Sequence, residues 1–500
     1  MRRPIALPLI LFTLGALLAG SAELTYGGWI QIPILSIVWW QLSLEQSRSL
    51  KQYFFLSLAF GIGYFVVGLW WLYISMHDVG GINALLSCVA VFLLSAYLAI
   101  YIAGACASIR IFNNTKFMGL LLASSWVIFE YLRGEIFTGF PWMGLAETQV
   151  NGPFAPIAPW LGGFACTFLV VWISWELFQL KKRVVFSSAV IIGALGLVQI
   201  AGLASFTQPT GEPLSVRLIQ GNFEQSLKFN PQAIGQQIYF YETAIQSTPA
   251  DLIIIPETAF PWPQNHLPSG LLSRLQEFSN TSSSNILLGL IGEVSEKNGL
   301  QYTNRATGLS PNTAQYQYDK IHLVPFGEFI PPGFHWFVKA FNVPLSDFAR
   351  GSITQTPFNV LRQKQETIRA AITICYEDVF GGELASRIRN NAEPTNLLIN
   401  LTNLAWFGQS QAPTQQLRLS QLRSLETGLP ALRATNTGIT SVLGHDGKVL
   451  QSLPEFTQAT LSTQVQAYSG KTPYVIWGNF PILMISCLML IWGLVRQRRF

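Results

Sequence analysis

The sequence predicts a two-part protein: a polytopic α-helical membrane domain of eight transmembrane helices, and an α/β domain exposed on the opposite side of the membrane from both termini. Three observations lead there. Of 500 residues, 50% are hydrophobic and 11% are charged, against about 25% charged in soluble domains. The apolar residues crowd into 1–204 and 473–495, while the stretch between has ordinary polar composition and enough length for a domain with its own core. Basic residues cluster in alternate connections between the apolar segments.

A bilayer core of about 30 Å is crossed by about 20 apolar residues in a helix. Segments of that kind run over about 5–22, 27–43, 53–75, 81–109, 117–133, 159–179, 184–204 and 473–495. Arg2 and Arg3, Arg48 and Lys51, Arg110 and Lys116, Lys181, Lys182 and Arg183, and Arg496, Arg498 and Arg499 occupy one set of ends and connections. The alternate short connections hold almost none, Arg133 excepted. Basic residues mark the cytoplasmic side, so both termini are expected inside and 205–472 outside the cytoplasm. Residues 473–500 are then a last helix with a basic tail. The net charge of +5 comes largely from these dispersed anchors, which argues against a nucleic-acid partner. Met1 to Ala22 also reads as a secretory leader, with a basic start, an apolar run and Ala19-Gly20-Ser21-Ala22 at a cleavage-like position.

The connection at 134–158 differs from the others. Phe137-Thr138-Gly139-Phe140-Pro141-Trp142-Met143-Gly144 is aromatic and broken by glycine and proline. It reads either as an interfacial aromatic belt or as a capping loop, which at membrane depth needs protein or water around it.

In the polar segment, Val216–Gln220 reads as a strand ending at Gly221-Asn222, and 231–247 as a helix. Leu252–Ile255 is a fully apolar strand of buried type, and 285–292, 366–374 and 396–401 repeat the form. A helix is expected at 411–428, and 430–443 with 448–453 form a closing pair around His445-Asp446-Gly447. Strands alternating with helices predict a sheet covered on its faces.

Of five cysteines, only Cys375 lies in this polar segment. It follows Ile372-Thr373-Ile374 and precedes Tyr376-Glu377-Asp378, the setting of a nucleophile at a strand end; a buried inert thiol is the alternative. Glu257 follows the strand at 252–255, and Lys320 lies in Tyr318-Asp319-Lys320-Ile321. A carboxylate can act as base for a thiol, and a lysine beside it favours the thiolate and can stabilise an oxyanion. Spacing alone does not bring the three together.

Pro256-Glu257, Lys320-Ile321-His322-Leu323-Val324-Pro325-Phe326-Gly327-Glu328-Phe329 and Cys375-Tyr376-Glu377 resemble the three motifs of the nitrilase (carbon–nitrogen hydrolase) superfamily. With the eight spans, Gln220-Gly221-Asn222, Thr138 to Trp142, Ala405-Trp406-Phe407-Gly408 and Arg433 to Gly438, the chain resembles the apolipoprotein N-acyltransferase family over nearly its whole length. The resemblance implies a nitrilase-like αββα sandwich and a triad in which Glu257 is the base, Cys375 the nucleophile and Lys320 the oxyanion stabiliser. It implies acyl transfer from a membrane phospholipid to the free amine of a diacylglyceryl-cysteine at a lipoprotein N-terminus, through a Cys375 thioester. It further implies that Glu328 orients the lysine, that the Tyr376 N–H helps hold the oxyanion, and that Glu377 positions lysine or substrate. Glu328 as a surface charge, and Tyr376 with Glu377 as a helix N-terminal cap, are the plainer readings. No cofactor or metal is implied, and the setting would be a bacterial inner membrane, with the chain a monomer. Phe229 stands where the family often has tryptophan, and Leu404 where it often has aspartate.

Rival readings follow from the same residues. His322 on an extended segment would share a face with Lys320 and could pair with the thiol as in papain-like enzymes; a satisfied structural histidine is the plainer reading. His266, His322, His335 and His445 show no metal-ligand spacing, and no phosphate-binding glycine loop is present. Pro331 to Phe341 is aromatic enough for an arm touching the bilayer, or for a core-packing helix. A membrane-tethered amidase for a small C–N substrate would need the triad but not eight spans. A transporter or scaffold would need polar residues at mid-span but not the triad.

Overall fold

The computed structural model describes residues 6–44, 49–112, 117–225, 231–296, 299–330, 333, 347–363 and 365–497. Arg2, Arg3, Arg48, Lys116, Phe229, Arg498, Arg499 and the aromatic stretch at 331–341, Gly333 excepted, lie outside the described residues. The chain divides into two compact units, Met1–Ser205 with Trp477–Phe500, and Phe206–Ile476.

In the first unit each apolar segment contains a helix: Ala6–Ser21, Gly27–Ser43, Leu50–Gly68, Ala84–Ile111, Met118–Glu135, Gly163–Gln179, Val184–Ala201 and Phe480–Gln497. Among the described residues, four of these are long and apolar enough to cross a membrane: Leu50–Gly68, Ala84–Ile111, Val184–Ala201 and Phe480–Gln497. Ala6–Ser21 and Gly163–Gln179 are apolar but shorter, and Met118–Glu135 carries Glu130, Arg133 and Glu135. The segment expected at 53–75 is broken: its long helix stops at Gly68, and Trp71–Ile74 runs into a π-helical turn at Ser75–Val79. Ala6–Ser21 and Leu50–Gly68 cross at glycines, where a Cβ on Gly15 would stand 2.0 Å from the Phe60 carbonyl oxygen and one on Gly63 2.1 Å from that of Phe12.

The connection after Met118–Glu135 is folded inwards. Trp142 and Met143 are buried. Arg133 Nη1 donates to the Phe140 carbonyl at 2.9 Å and to that of Trp142, and Tyr64 Oη donates to the Met143 carbonyl at 2.9 Å. Protein therefore holds the irregular backbone at Phe140 to Met143 and covers Trp142, whereas Phe137 at the start of the connection is 84% exposed, as a belt residue would be.

The second unit holds two sheets. Its strands are β1 Thr207–Gln220, β2 Leu252–Ile254, β3 Phe260–Pro263, β4 Asn285–Glu296, β5 Gly299–Leu309, β6 Tyr316–Asp319, β7 Phe358–Val360, β8 Ile368–Ile374, β9 Leu397–Thr402, β10 Ala431–Thr435, β11 Ser441–Leu443, β12 Val449–Ser452 and β13 Ala459–Gly470. One sheet runs β13-β1-β2-β4-β5-β6 with β3 beside β4, and the other runs β12-β11-β10-β9-β8-β7. The centres, β1-β2-β4 and β8-β9-β10, are parallel.

Alternation of side chains across each strand assigns the layers. Leu252, Ile254, Leu287, Ile372, Ile374, Ile399 and Leu432 share one core between the sheets. Ile253, Ile255, Ile286 and Leu288 face the other way, with Ile234 and Ile238 of helix Pro231–Gln246 and Leu271 and Leu275 of helix Leu271–Ser282. Ala371, Leu398 and Ala431 likewise meet Leu384 and Ile388 of helix Gly381–Asn390. The unit is a four-layer αββα sandwich, as the resemblance implied. One expectation is corrected: 430–443 is not a single strand of a closing pair. β10 joins β9 in parallel, and only β11 pairs with β12, because the buried turn at Asn436 to Thr440 separates the two.

Candidate active site

Three strand ends deliver the candidate residues. β2 is buried throughout; the chain leaves it through Pro256, and Glu257 follows. This exit passes close over β4, since a Cβ on Gly289 would lie 2.1 Å from the Pro256 carbonyl oxygen and 2.7 Å from Glu257 Cα. Lys320 follows β6, its backbone N–H donating to the Asn304 carbonyl of β5 at 2.8 Å and its carbonyl accepting from Gly351 at 2.8 Å. Cys375 follows the last residue of β8, Ile374, and opens the 3-10 turn Cys375–Val379. Its φ of 50° places a non-glycine residue in the left-handed region, held only where surroundings determine it.

The structure brings Glu257, Lys320, Glu328 and Cys375 into one cluster. Lys320 is 1% exposed. Its Nζ lies 3.4 Å from Glu257 Oε1 and 2.9 Å from the Glu328 carboxylate. Asn304 Nδ2 donates to both acids, at 2.7 Å to Glu257 Oε1 and 2.7 Å to Glu328 Oε1. The Asn403 N–H donates to Glu257 Oε2 at 2.8 Å, and the Val324 N–H to Glu328 Oε2 at 2.8 Å. Glu328 is therefore not a surface charge.

The electrostatics favour a protonated thiol at rest. Burial and then the Glu257 carboxylate push the Cys375 thiol well above its ordinary range, against the pull of Lys320, and the thiol donates to Glu257. Burial opposes the Lys320 charge, but Glu328 and Glu257 overcome it and hold the ammonium above the usual lysine range. A thiol kept neutral beside a carboxylate that can take its proton, with a permanent cation adjoining, can form a thiolate when a substrate arrives.

Tyr376 and Glu377 are the second and third residues of the turn, both buried. Glu377 Oε2 accepts from the Ile374 N–H at 2.7 Å, closing the turn as a cap does. Its Oε1 accepts from the Ile321 N–H at 2.6 Å, next to Lys320, and its carboxylate accepts from Tyr318 Oη at 2.9 and 3.0 Å. Burial raises the Glu377 carboxyl, while Arg387 and these N–H groups pull it down. His322 stacks on Phe380 with centroids 3.5 Å apart, and its Nδ1 is 3.2 Å from Glu383 Oε1. Leu404 is buried over Gly438; the following turn is capped instead by Asn403 Oδ1, which accepts from the Ala405 N–H at 3.2 Å.

Asn304, Asn403 and Gln416, whose Nε2 donates to the Cys375 carbonyl at 3.0 Å, were not singled out by sequence reasoning. Asn304 was hidden because β5 is rich in polar residues. Its one signal is the polar run Thr303-Asn304-Arg305 between two chemistry-bearing segments. Among the described residues no group of acids, histidines or cysteines could hold a metal ion.

Residues 14–175 match the family described as apolipoprotein N-acyltransferase N-terminal domain, and residues 214–474 match carbon–nitrogen hydrolase. An apolipoprotein N-acyltransferase of Ralstonia nicotianae is 40% identical over 485 residues, spanning 94% of this chain and 90% of its own. One from Nitrosomonas europaea is 36% identical over 470 residues, 92% of each. The solved structure of a carbon–nitrogen hydrolase superfamily protein from Xanthomonas campestris is 16% identical, covering 51% of this chain and 91% of its own at a TM-score of 0.37.

Proposed function

This chain belongs to the apolipoprotein N-acyltransferase family, and on that premise we propose that it transfers an acyl chain from a membrane phospholipid to the N-terminal amine of a diacylated lipoprotein. The observation that carries the mechanism is the cluster of one thiol, two carboxylates and one ammonium, with Lys320 Nζ 3.4 Å from Glu257 and 2.9 Å from Glu328.

Glu257 takes the thiol proton as Cys375 Sγ attacks the ester carbonyl carbon of the phospholipid. The oxyanion of the tetrahedral adduct is held by Lys320 Nζ and the Tyr376 N–H. The C–O bond breaks, Glu257 returns its proton to the leaving oxygen, and lysophospholipid departs from a Cys375 thioester. The lipoprotein amine then attacks that thioester and passes a proton to Glu257. The C–S bond breaks, the thiolate recovers the proton, and the amide product leaves. Glu328 shares the lysine so that Glu257 keeps a lone pair for the proton. Glu377 holds the backbone beside Lys320 in place.

In this reading the chain crosses a bacterial inner membrane eight times as a monomer. Residues 1–204 and 473–500 form the membrane domain with both termini cytoplasmic, and 205–472 is the periplasmic catalytic domain. Single variants at Glu257, Lys320 and Cys375, assayed for acylation of a diacylated lipopeptide with a free amine, test it. Loss of product in all three is expected, and undiminished product in the Cys375→Ala variant would contradict the scheme.

A further inference from the structure

A second buried polar cluster lies behind Cys375. Arg433 of β10 is fully buried, and its Nη1 is 3.3 Å from Asp378 Oδ2. The same Nη1 donates to Ser420 Oγ at 2.6 Å. Asp378 also accepts from Thr373 Oγ1 at 2.8 Å and from Ser420 Oγ. Arg433 Nη2 donates to Gln416 Oε1 at 3.3 Å. A guanidinium only donates, so this bond fixes the amide: its oxygen faces Arg433, and its nitrogen faces the other way.

That nitrogen meets the nucleophile. Gln416 Nε2 donates to the Cys375 carbonyl at 3.0 Å and lies 4.0 Å from Cys375 Sγ. With one amide hydrogen on that carbonyl, the second is shared between the sulfur and Thr402 Oγ1 at 3.3 Å, a hydroxyl whose own proton goes to Asn400 Oδ1. Asn400 Nδ2 reaches the same Cys375 carbonyl at 3.4 Å. The carbonyl of a residue at φ 50° is thus held from behind by two amides, one of them oriented by a buried ion pair.

We infer that Gln416 is a positioning residue for acyl transfer: its amide, aimed by Arg433, locks the main chain of Cys375 and offers a neutral N–H beside the sulfur. This rests on Cys375 being the nucleophile. The charged groups that act on the thiol are Glu257, Lys320 and Glu328 on one side and Arg433 on the other. Gln416 supplies a donor without adding a charge. A stronger cation there would compete with Lys320 for the carboxylates, and a carboxylate would oppose the thiolate.

The test is the pH profile of Cys375 alkylation by iodoacetamide, followed by peptide mass spectrometry on the full-length protein in detergent. Gln416→Met removes the donor without adding a charge; Gln416→Asn keeps the amide but draws it back from the Cys375 carbonyl. Both are expected to slow alkylation about tenfold at neutral pH, the typical effect of losing a hydrogen bond to a charged group. Both should also move the profile upwards by roughly one pH unit. A merely structural role would lower the unfolding midpoint and leave the profile in place, which would overturn the inference. Should Gln416→Met fail to fold, Gln416→Asn decides alone, and a parental rate and profile in it would refute the role. Phospholipid-dependent acylation of the parent protein is measured in parallel. Its absence would strike the nucleophile assignment, while the alkylation comparison still reads the positioning.

Discussion

Cys375 stands between two buried charge clusters that are built differently. In front, two carboxylates share one ammonium and one amide donor, and the thiol proton has Glu257 to go to. Behind, Arg433 and Asp378 form a one-to-one pair whose oxygens are filled by Ser420 and Thr373. The front cluster carries one negative charge in excess, which proton transfer moves from Glu257 to the sulfur. The rear cluster is a neutral pair, and its bonds to Ser420, Thr373 and Gln416 fix geometry, although Arg433 Nε meets no hydrogen-bond partner among the described residues. Reactivity and support are thus divided between the two sides of one residue.

That division can be broken from either side. Lys320→Met should have the largest effect, leaving two buried carboxylates uncompensated and removing the oxyanion cation. Acyl transfer should fall by about 10²–10³, read as product formed from a diacylated lipopeptide. Asp378→Asn strips the rear pair and leaves a buried guanidinium alone, which should cost about 3–5 kcal/mol, read as a lower unfolding temperature in detergent. Its activity should fall mainly through lost fold, whereas a stable but inactive Asp378→Asn would blur the division. Asn304→Ala removes the donor shared by Glu257 and Glu328 and should cost about 1–3 kcal/mol. It would sharpen the contrast if kcat dropped with little change in KM.

The pH dependence follows from the same asymmetry. Lys320 is held above its ordinary range, so its stabilising charge is complete below about 10.4 and is lost only as pH rises through a still higher value. Unfolding temperature should therefore show no Lys320-linked loss across the neutral and mildly alkaline range. The thiol is raised by burial and Glu257, so alkylation of Cys375 should still climb past about 8.5, the ordinary cysteine value. A plateau near neutrality would indicate a preformed thiolate and contradict the general-base role of Glu257.

The sequence carried the parts of this site that hydropathy exposes. β2 and β8 stand out as apolar runs, and Glu257 and Cys375 as the polar residues that follow them. The polar strand β5, next to the edge strand β6, was not legible. Its Thr303, Asn304 and Arg305 are buried with donors paired to residues on other segments, as Asn304 Nδ2 meets Glu257 and Glu328 and Arg305 meets Asp319 at 2.7 Å. Hydropathy does not register such pairing. Convergence of Glu257, Lys320 and Cys375 was likewise invisible to spacing and came from the motif resemblance. In the membrane unit the helices were legible one by one, but their lengths were not. The break after Gly68 and the charges in Met118–Glu135 answer to neighbouring side chains rather than to mean hydropathy.

The most direct measurement is the intact mass of the full-length protein after incubation with phospholipid and no acceptor. A gain of one acyl chain is expected, discharged by hydroxylamine or by a lipopeptide amine and absent from Cys375→Ala. An acyl gain that persists in that variant, or an active parent protein that never carries the adduct, would contradict it.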